Sequence, residues 1–138
     1  MKIHFSKKSK KKFGREHADL DSRTIANCAV KASYDLSAKL IVVFTYSGRS
    51  AQTVAHYRPK CPIMAVTPNE WAAKGLLLYS GMHSMLVGSL IGRDTLKVKV
   101  IEEARKRKLL SDGPGFVVLT SGLAGDIGNT NQLEIIQV

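Results

Sequence analysis

The chain has 138 residues, a net charge of +10 and an apolar fraction of 44%. This length suits one domain with its own core, and no apolar stretch approaches the roughly 18 residues that a membrane-spanning helix needs. The basic N-terminus lacks the apolar segment of a secretory signal. Cys28 and Cys61 have no metal-ligand spacing, and two free buried thiols indicate a reducing compartment, so we expect a cytoplasmic protein.

Much of the positive charge lies at the N-terminus, where residues 1–17 hold seven basic residues and one acid. We predict that residues 1–20 are a basic, disordered tail or linker and that residues 21–138 form the folded domain. The run KKSKKK could instead bind nucleic acid, direct nuclear import or contact an acidic membrane. Because few aromatic residues are present to stack on bases, we favour a solvated linker and expect neither nucleic acid nor a membrane as a partner.

The folded part begins with a helix and a buried strand. Asp21 or Ser22 is the predicted helix cap, and apolar residues follow at helical spacing: Ile25, Cys28, Ala29, Ala32 and Leu36. The wholly apolar run 40–44 predicts the strand. Cys28, on the apolar side of this helix, is predicted to be a core residue.

A short helix and a second strand come next. Ala51, Val54 and Ala55 mark the helix, and the prolines of YRPKCP end it. Residues 63–66 are the second strand.

The next helix has a recognisable start. Thr67 is its predicted cap, with Pro68 at the first helical position and Glu70 at the third, and Gly81 ends it. Residues 84–87 are predicted to form a third strand.

The remaining elements are a long helix at 94–110 and two strands, at 116–121 and 132–138. Strand–helix alternation with short, apolar strands predicts a three-layer α/β/α domain with a five-stranded, mostly parallel mixed sheet. The loop between the last two strands is too short for a crossover helix. The final strand is therefore expected to run antiparallel at an edge.

The residues TYSGRSA follow the first strand and open a helix, which is a position where anions bind. Thr45, Ser47 and Ser50 offer hydroxyl donors, Gly48 permits close approach of the backbone, and Arg49 can make a forked contact with phosphate. Alternatively, Ser47 or Ser50 is a helix cap and Arg49 a surface residue. Similar hydroxyl-rich turns occur in sugar-phosphate isomerase domains, so the pattern indicates phosphate more than one family.

The glycine-rich segment SGLAGDIGNTN follows the fourth strand. Its spacing does not fit a dinucleotide fingerprint, and no helix comes after it. It is either a flexible hairpin or a loop over the phosphate site, since strands one and four should be neighbours at the centre of the sheet. No nucleophile–base pair is recognisable in the chain, and its four histidines are scattered.

Three long segments resemble the C-terminal domain of pyruvate kinase: AKLIVVFTYSGRSAQTVAHYRPKCPIMAVTPNE, LLLYSGMHSMLV and FVVLTSGLAGDIGNTNQLEIIQV. The resemblance covers roughly residues 22–138. It implies the regulatory domain of the glycolytic enzyme that transfers phosphoryl from phosphoenolpyruvate to ADP. The family's catalytic barrel, with its Mg²⁺ and K⁺, has no counterpart here, so the chain alone is predicted to be inactive and without a cofactor.

In many allosteric members of that family, this domain binds a sugar bisphosphate, usually fructose 1,6-bisphosphate. The resemblance assigns one phosphate to the turn of Thr45, Ser47, Gly48, Arg49 and Ser50. It assigns the closing loop to Ser121, Gly122, Gly125 and Gly128.

The sequence departs from that pattern at two places. Tyr46 stands where some strongly activated members have a lysine, and Trp71 lies in a different helix from the family's ligand-binding tryptophan. Lys97 falls near the position of the family's second-phosphate arginine. We therefore expect one phosphate site rather than two.

Expected partners are a phosphorylated effector, the pyruvate kinase catalytic domain and a second copy of this chain. The resemblance implies a tetramer, and strand 132–138 is an apolar edge without proline or lysine that can pair with another copy, with help from the helix 94–110. The alternative function is a stand-alone sugar-phosphate-binding protein or an isomerase-like enzyme.

Overall fold

The computed structural model describes the backbone of residues 7–121 and 132–138 and the side chains of residues 20–92, 94–121 and 132–138. Helices and strands alternate along these residues until the last two strands follow each other directly. The elements are α1 (Lys7–Asp35), β1 (Leu40–Phe44), α2 (Arg49–His56), β2 (Ile63–Thr67), α3 (Glu70–Leu76), β3 (Met82–Leu86), α4 (Arg93–Lys106), β4 (Phe116–Ser121) and β5 (Gln132–Gln137).

The five strands form one sheet in the order β3-β2-β1-β4-β5. The first four strands are parallel, and β5 runs antiparallel to β4 at the edge of the sheet. β1 lies at the centre, with Val43 opposite both Ala65 of β2 and Thr120 of β4. The predicted mixed α/β sheet with its antiparallel edge strand is confirmed.

The residues of β1 alternate between two hydrophobic clusters, one on each side of the sheet. Ile41 and Val43 pack with residues of α1, α2 and α3, on the side called face one below. Leu40, Val42 and Phe44 pack with residues of α4, on the side called face two. Because both sides are covered, β1 is a wholly buried apolar strand, as expected at the centre of a parallel sheet.

Helix α1 differs from the sequence-based prediction at its start and in its buried face. It begins at Lys7, not at Asp21 or Ser22, since lysine, arginine, glutamate and alanine favour a helix and no proline interrupts this stretch. Its most buried positions are Ala26, Ala29, Val30 and Ser33, one residue on from most of the predicted positions. Cys28 is therefore exposed, which corrects its assignment to the core. The division into a tail and a domain at residue 20 stays a prediction.

Helix α3 is capped by Asn69 and not by Thr67. The Asn69 side chain accepts hydrogen bonds from the N–H groups of Trp71 and Ala72, at 3.0 and 3.4 Å. Thr67 instead ends β2, where its backbone continues the pairing with β3. The helix ends at Leu76, well before the predicted stop at Gly81, and β3 begins at Met82.

Helix α4 ends four residues before the prediction. Lys108 adopts a positive φ of 61°, which turns the chain back. This turn carries Leu110 into the face-two core, where it is 2% exposed. Burial of one leucine side chain contributes about 1.5–3 kcal/mol, more than a further helical turn of charged residues would.

Candidate anion-binding turn

The turn of residues 45–50 leaves the carboxyl end of the central strand β1 and enters α2. Thr45 is 5% exposed, and its N–H donates to the carbonyl of Val66 at 3.0 Å, which ties the start of the turn to β2. α2 then begins at Arg49. The turn therefore lies at the sheet edge where open α/β folds bind their ligands.

Two hydroxyl groups organise the turn from inside. The N–H of Gly48 donates to Thr45 Oγ1 at 2.9 Å, and the N–H of Arg49 donates to Ser47 Oγ at 3.3 Å. Gly48 is the residue before the helix and has a φ of 89°, a conformation that costs other residues about 1–2 kcal/mol. The alternative in which Ser47 or Ser50 caps α2 is not what the structure shows, because Gly48 is the cap and no side chain caps the helix.

The junction between β2 and α3 supports the turn from outside. Thr67 Oγ1 donates to the carbonyl of Tyr46 at 3.2 Å and accepts from the N–H of Asn69 at 3.1 Å. The side chain of Leu76, on α3, lies so close to Gly48 that a Cβ atom there would be 3.3 Å from its Cγ. Sequence reasoning missed these supports, since the local pattern around Thr67 matched a helix start.

The chemistry of the turn suits an anion. A hydroxyl that accepts a hydrogen bond keeps its own hydrogen to donate, so Thr45 and Ser47 remain donors here. The start of α2 adds the positive end of the helix dipole, and Arg49 is an exposed guanidinium beside it. Residues 45–58 contain no carboxylate that would repel a negative ligand.

β4 pairs with β1, as predicted, so its carboxyl end lies beside the strand that leads into the turn. Side chains alternate along a strand, so Thr120 lies on face one with Val118, whereas Ser121 lies on face two. Thr120 is 1% exposed, and its hydroxyl has no hydrogen-bond partner among the residues that the structure describes. It stands opposite Val43, diagonally across from Thr45. Gly122, Gly125 and Gly128 lie outside the described residues.

Lys97 lies on α4, the helix that covers face two. Its Nζ is 2.6 Å from Glu134 Oε2 and 3.7 Å from Asp94 Oδ1. Glu134 is opposite Leu119, whose side chain belongs to the face-two cluster. The structure places Thr45, Ser47, Gly48, Arg49 and Ser50 in one turn, and it pairs Lys97 with Glu134 and Asp94. A ligand role for Lys97 stays a prediction.

Outside the turn, the thiol of Cys61 has a shifted pKa. Partial burial raises the pKa of the Cys61 thiol, while hydrogen bonds of its own backbone and of Ser33 act in the other direction. The described part of the chain holds no group of three or more His, Cys, Asp or Glu residues that could bind a metal ion. That the chain alone binds no cofactor stays a prediction. The described residues also include no helix with the length and hydropathy to cross a membrane.

Comparisons with known proteins all point to one enzyme family. The family profile described as "Pyruvate kinase, alpha/beta domain" matches residues 23–136. The chain is 38% identical over 117 residues to pyruvate kinase of Dictyostelium discoideum, covering 85% of this chain and 23% of that protein. It is 32% identical over 116 residues to pyruvate kinase of Clostridium acetobutylicum, covering 83% and 24%.

Solved structures agree with the sequence matches. A pyruvate kinase from Cryptosporidium parvum superposes with a TM-score of 0.76 at 26% identity, covering 84% of this chain and 22% of that one. A structure of the Cryptosporidium parvum enzyme in complex with ADP gives the same score. The chain therefore spans less than a quarter of the length of each of these two solved chains.

Proposed function

The chain belongs to the pyruvate kinase family as its C-terminal α/β domain, and we propose that it is a regulatory module that binds a phosphorylated sugar effector. The effector's phosphate binds at residues 45–50, and the module acts on a pyruvate kinase catalytic domain that converts phosphoenolpyruvate and ADP to pyruvate and ATP. The observation that carries this proposal is the turn itself. Hydroxyl groups, a glycine with positive φ and an arginine converge at a helix start beyond the central strand.

The proposed ligand is a sugar bisphosphate such as fructose 1,6-bisphosphate, held mainly through one of its phosphates. Thr120 supports this assignment, because a buried hydroxyl that has no partner among the described residues costs free energy that a ligand or an ordered water would recover. The second phosphate has less support. Tyr46 supplies no cation, and Lys97 already pairs with two carboxylates on face two.

Calorimetric titration with fructose 1,6-bisphosphate, fructose 2,6-bisphosphate and inorganic phosphate tests the site. Ser47→Ala and Ser50→Ala should each weaken binding roughly tenfold, as expected for loss of a hydrogen bond to a charged group. The matched control is Ser111→Ala, an exposed serine just before β4, at the opposite end of the strands. Absence of heat with all three anions, or equal affinity in Ser47→Ala and Ser111→Ala, would reject the proposed site.

A second part of the proposed function is assembly through β5. Among the strands that the structure describes, β5 pairs with β4 alone, and Ile135 on it is 49% exposed. An unprotected edge strand can pair with a second copy about a two-fold axis. We expect a dimer at micromolar concentration and moderate salt, measured by light scattering.

Ile135→Lys should dissociate this dimer by placing two like charges at its contact. Ile91→Lys is the matched control, since Ile91 is 77% exposed in a loop away from β5. A monomer mass for the unmodified chain at high micromolar concentration contradicts the prediction. A dimer that survives Ile135→Lys would place the contact elsewhere.

A further inference from the structure

A polar cavity of about 380 Å³ opens beside the amino ends of β1 and β2. Its walls come from the end of α1 and from the residues that lead into each of the two strands. Its polar groups belong to six residues: Ser33, Tyr34, Ser37, Lys39, Lys60 and Cys61. Because β1 and β2 run parallel, this cavity and the turn of residues 45–50 lie at opposite edges of the sheet. It is called the amino-end cavity below.

Two contacts of Tyr34 join the walls of the amino-end cavity. The Tyr34 hydroxyl donates to the carbonyl of Arg58 at 2.8 Å, and Lys60 Nζ lies 5.5 Å from the centre of the Tyr34 ring. A cation over an aromatic ring is attracted to it, by about 0.5–1 kcal/mol at exposed sites. These contacts tie α1 to the loop after α2, so the cavity is formed before a ligand arrives.

The backbone beside the cavity adopts a conformation that is uncommon outside glycine. The φ angle is 49° at Ser37 and 52° at Arg58, and in the described part of the chain Lys108 is the one other non-glycine residue of this kind. Such conformations cost free energy and cluster at binding sites. Ser37 thus keeps a hydroxyl on the cavity at a helix end where glycine is the usual residue.

Lys39 is held in a fixed position at one side of the cavity. Its Nζ donates to the carbonyls of residues 111, 112 and 113 at 3.4, 3.3 and 3.2 Å. Its stem passes so close to Gly115 that a Cβ atom there would be 2.6 Å from Lys39 Cε. Carbonyl groups are neutral, so these contacts position the ammonium group without cancelling its charge. A charge positioned in advance binds a ligand at a lower entropic cost.

The amino-end cavity is positive. No carboxylate is among its described lining residues, and within the described part of the chain neither Lys39 nor Lys60 forms an ion pair. Asp35, the carboxylate closest in sequence, pairs with Lys31 at 3.1 Å. Burial raises the pKa of the Cys61 thiol, so the thiol stays neutral near pH 7 and adds no negative charge.

These features select one class of ligand. Two ammonium groups favour a ligand with two negative groups, and the absence of a lining carboxylate disfavours an amino acid, whose own ammonium group needs an acceptor. Phosphate fits less well than carboxylate, because the cavity lies at the carboxyl end of α1, where the helix dipole is negative and no helix start offers N–H groups.

We propose that the amino-end cavity binds a small dicarboxylate, with one carboxylate at Lys39 and the other at Lys60. The ring of Tyr34 supplies apolar surface for the carbon chain of the ligand, and the Ser37 hydroxyl is a further donor. This site does not depend on the proposed function of the turn.

Alkylation of the two cysteines by N-ethylmaleimide, read by peptide mass spectrometry, tests the site. Cys61 lines the cavity, and the exposed Cys28 on α1 serves as the internal reference. Saturating succinate at constant ionic strength should slow alkylation of Cys61 roughly tenfold, because the ligand covers the thiol, and should leave Cys28 unchanged. Succinamide, the matched neutral compound, should have no effect. A Cys61 rate that succinate does not change, or that succinamide lowers equally, overturns the proposal.

Lys60→Met and Lys74→Met form a matched pair, since each removes one exposed lysine. Lys60→Met should weaken the protection of Cys61 by succinate roughly tenfold, as expected for loss of a charged hydrogen bond, and Lys74→Met should retain it. Each variant is compared with and without succinate, so a direct effect of the lysine on the thiol cancels. Full protection in Lys60→Met would overturn the proposal. Lys60→Gln replaces Lys60→Met, with the same expected outcome, if that variant does not unfold cooperatively.

Inorganic phosphate and a turn variant separate this site from the effector turn. Phosphate should protect Cys61 less than succinate at equal concentration, and equal protection would reject a carboxylate site in favour of a general anion patch. Ser47→Ala should keep the succinate effect, while Lys60→Met should keep the phosphate binding at residues 45–50 that calorimetry measures. Loss of the succinate effect in Ser47→Ala would place the dicarboxylate at the turn and overturn the proposal.

Discussion

The two faces of the sheet differ in the elements and contacts that cover them. Face one carries three helices and the turn of residues 45–50, and its helix α3 exposes large apolar side chains such as Trp71. Face two carries α4, which is tied to the sheet by the ion pair of Lys97 with Glu134 and by the hydrogen bond that Arg107 donates to the carbonyl of Ser84. The two cores are nonetheless buried to a similar degree. Equal truncations in the two cores should therefore lower stability equally, and any difference in ligand binding between them reports on function.

The largest expected effect comes from shortening one leucine on each face. Leu76 is 1% exposed on face one and Leu110 is 2% exposed on face two. Leu76→Ala and Leu110→Ala should each lower the free energy of unfolding by about 2–5 kcal/mol in urea titrations. Only Leu76→Ala should also weaken phosphate binding, because Leu76 supports Gly48. Equal loss of binding in both variants would show that the faces are not separate in function.

A smaller effect is expected from a pair of glycines. Gly48 and Gly92 precede α2 and α4, with φ values of 89° and 80°, and neither helix has a side-chain cap. Alanine should cost about 1–2 kcal/mol at either position for the backbone conformation. Gly48→Ala should cost more, since its Cβ would meet Leu76 at 3.3 Å while Gly92 has open space around it.

Thermal unfolding measures both glycine variants, and calorimetry measures their phosphate binding. Gly48→Ala should lose most of its binding and Gly92→Ala should keep it. A Gly92→Ala variant that is the less stable of the two would contradict the importance of the Leu76 contact.

The smallest effect is expected at Lys97. Lys97→Met removes the ion pairs with Glu134 and Asp94, and partly exposed pairs of this kind contribute about 0.2–1 kcal/mol. Affinity for fructose 1,6-bisphosphate should not change, because Lys97 lies on face two. A clear loss of affinity in this variant would instead support Lys97 as a ligand of the second phosphate.

Much of the fold was predictable because its signals are local. The apolar run 40–44 and the prolines after α2 identify elements without knowledge of the rest of the chain. The antiparallel edge strand follows from the short loop before β5. The five residues of the turn are likewise neighbours in sequence, which is why their pattern indicated an anion site.

The remaining features depend on contacts between distant residues. Thr67 matches a helix-cap pattern, yet its hydroxyl donates a hydrogen bond to the carbonyl of Tyr46, in the turn after β1. Thr120 stands diagonally across from Thr45 only because β4 pairs with β1, and Ser121, one residue away, faces the other side. Cys28 fits the helical spacing of apolar residues in α1, but the buried side of that helix is shifted by one residue, to Ala29 and Val30. Sequence spacing alone does not decide among such alternatives.

The central position of β1 has a consequence for how the chain folds. β1, β2 and β3 pair with near neighbours in sequence, whereas β4 joins β1 only after α4 has been made. Contacts across so much chain form slowly because a large loop must close first. During synthesis, residues 45–50 can thus meet Thr67 and Leu76 long before Thr120 arrives. A phosphate ligand that binds only when β4 has paired with β1 would not initiate folding. It would stabilise the completed sheet against unfolding.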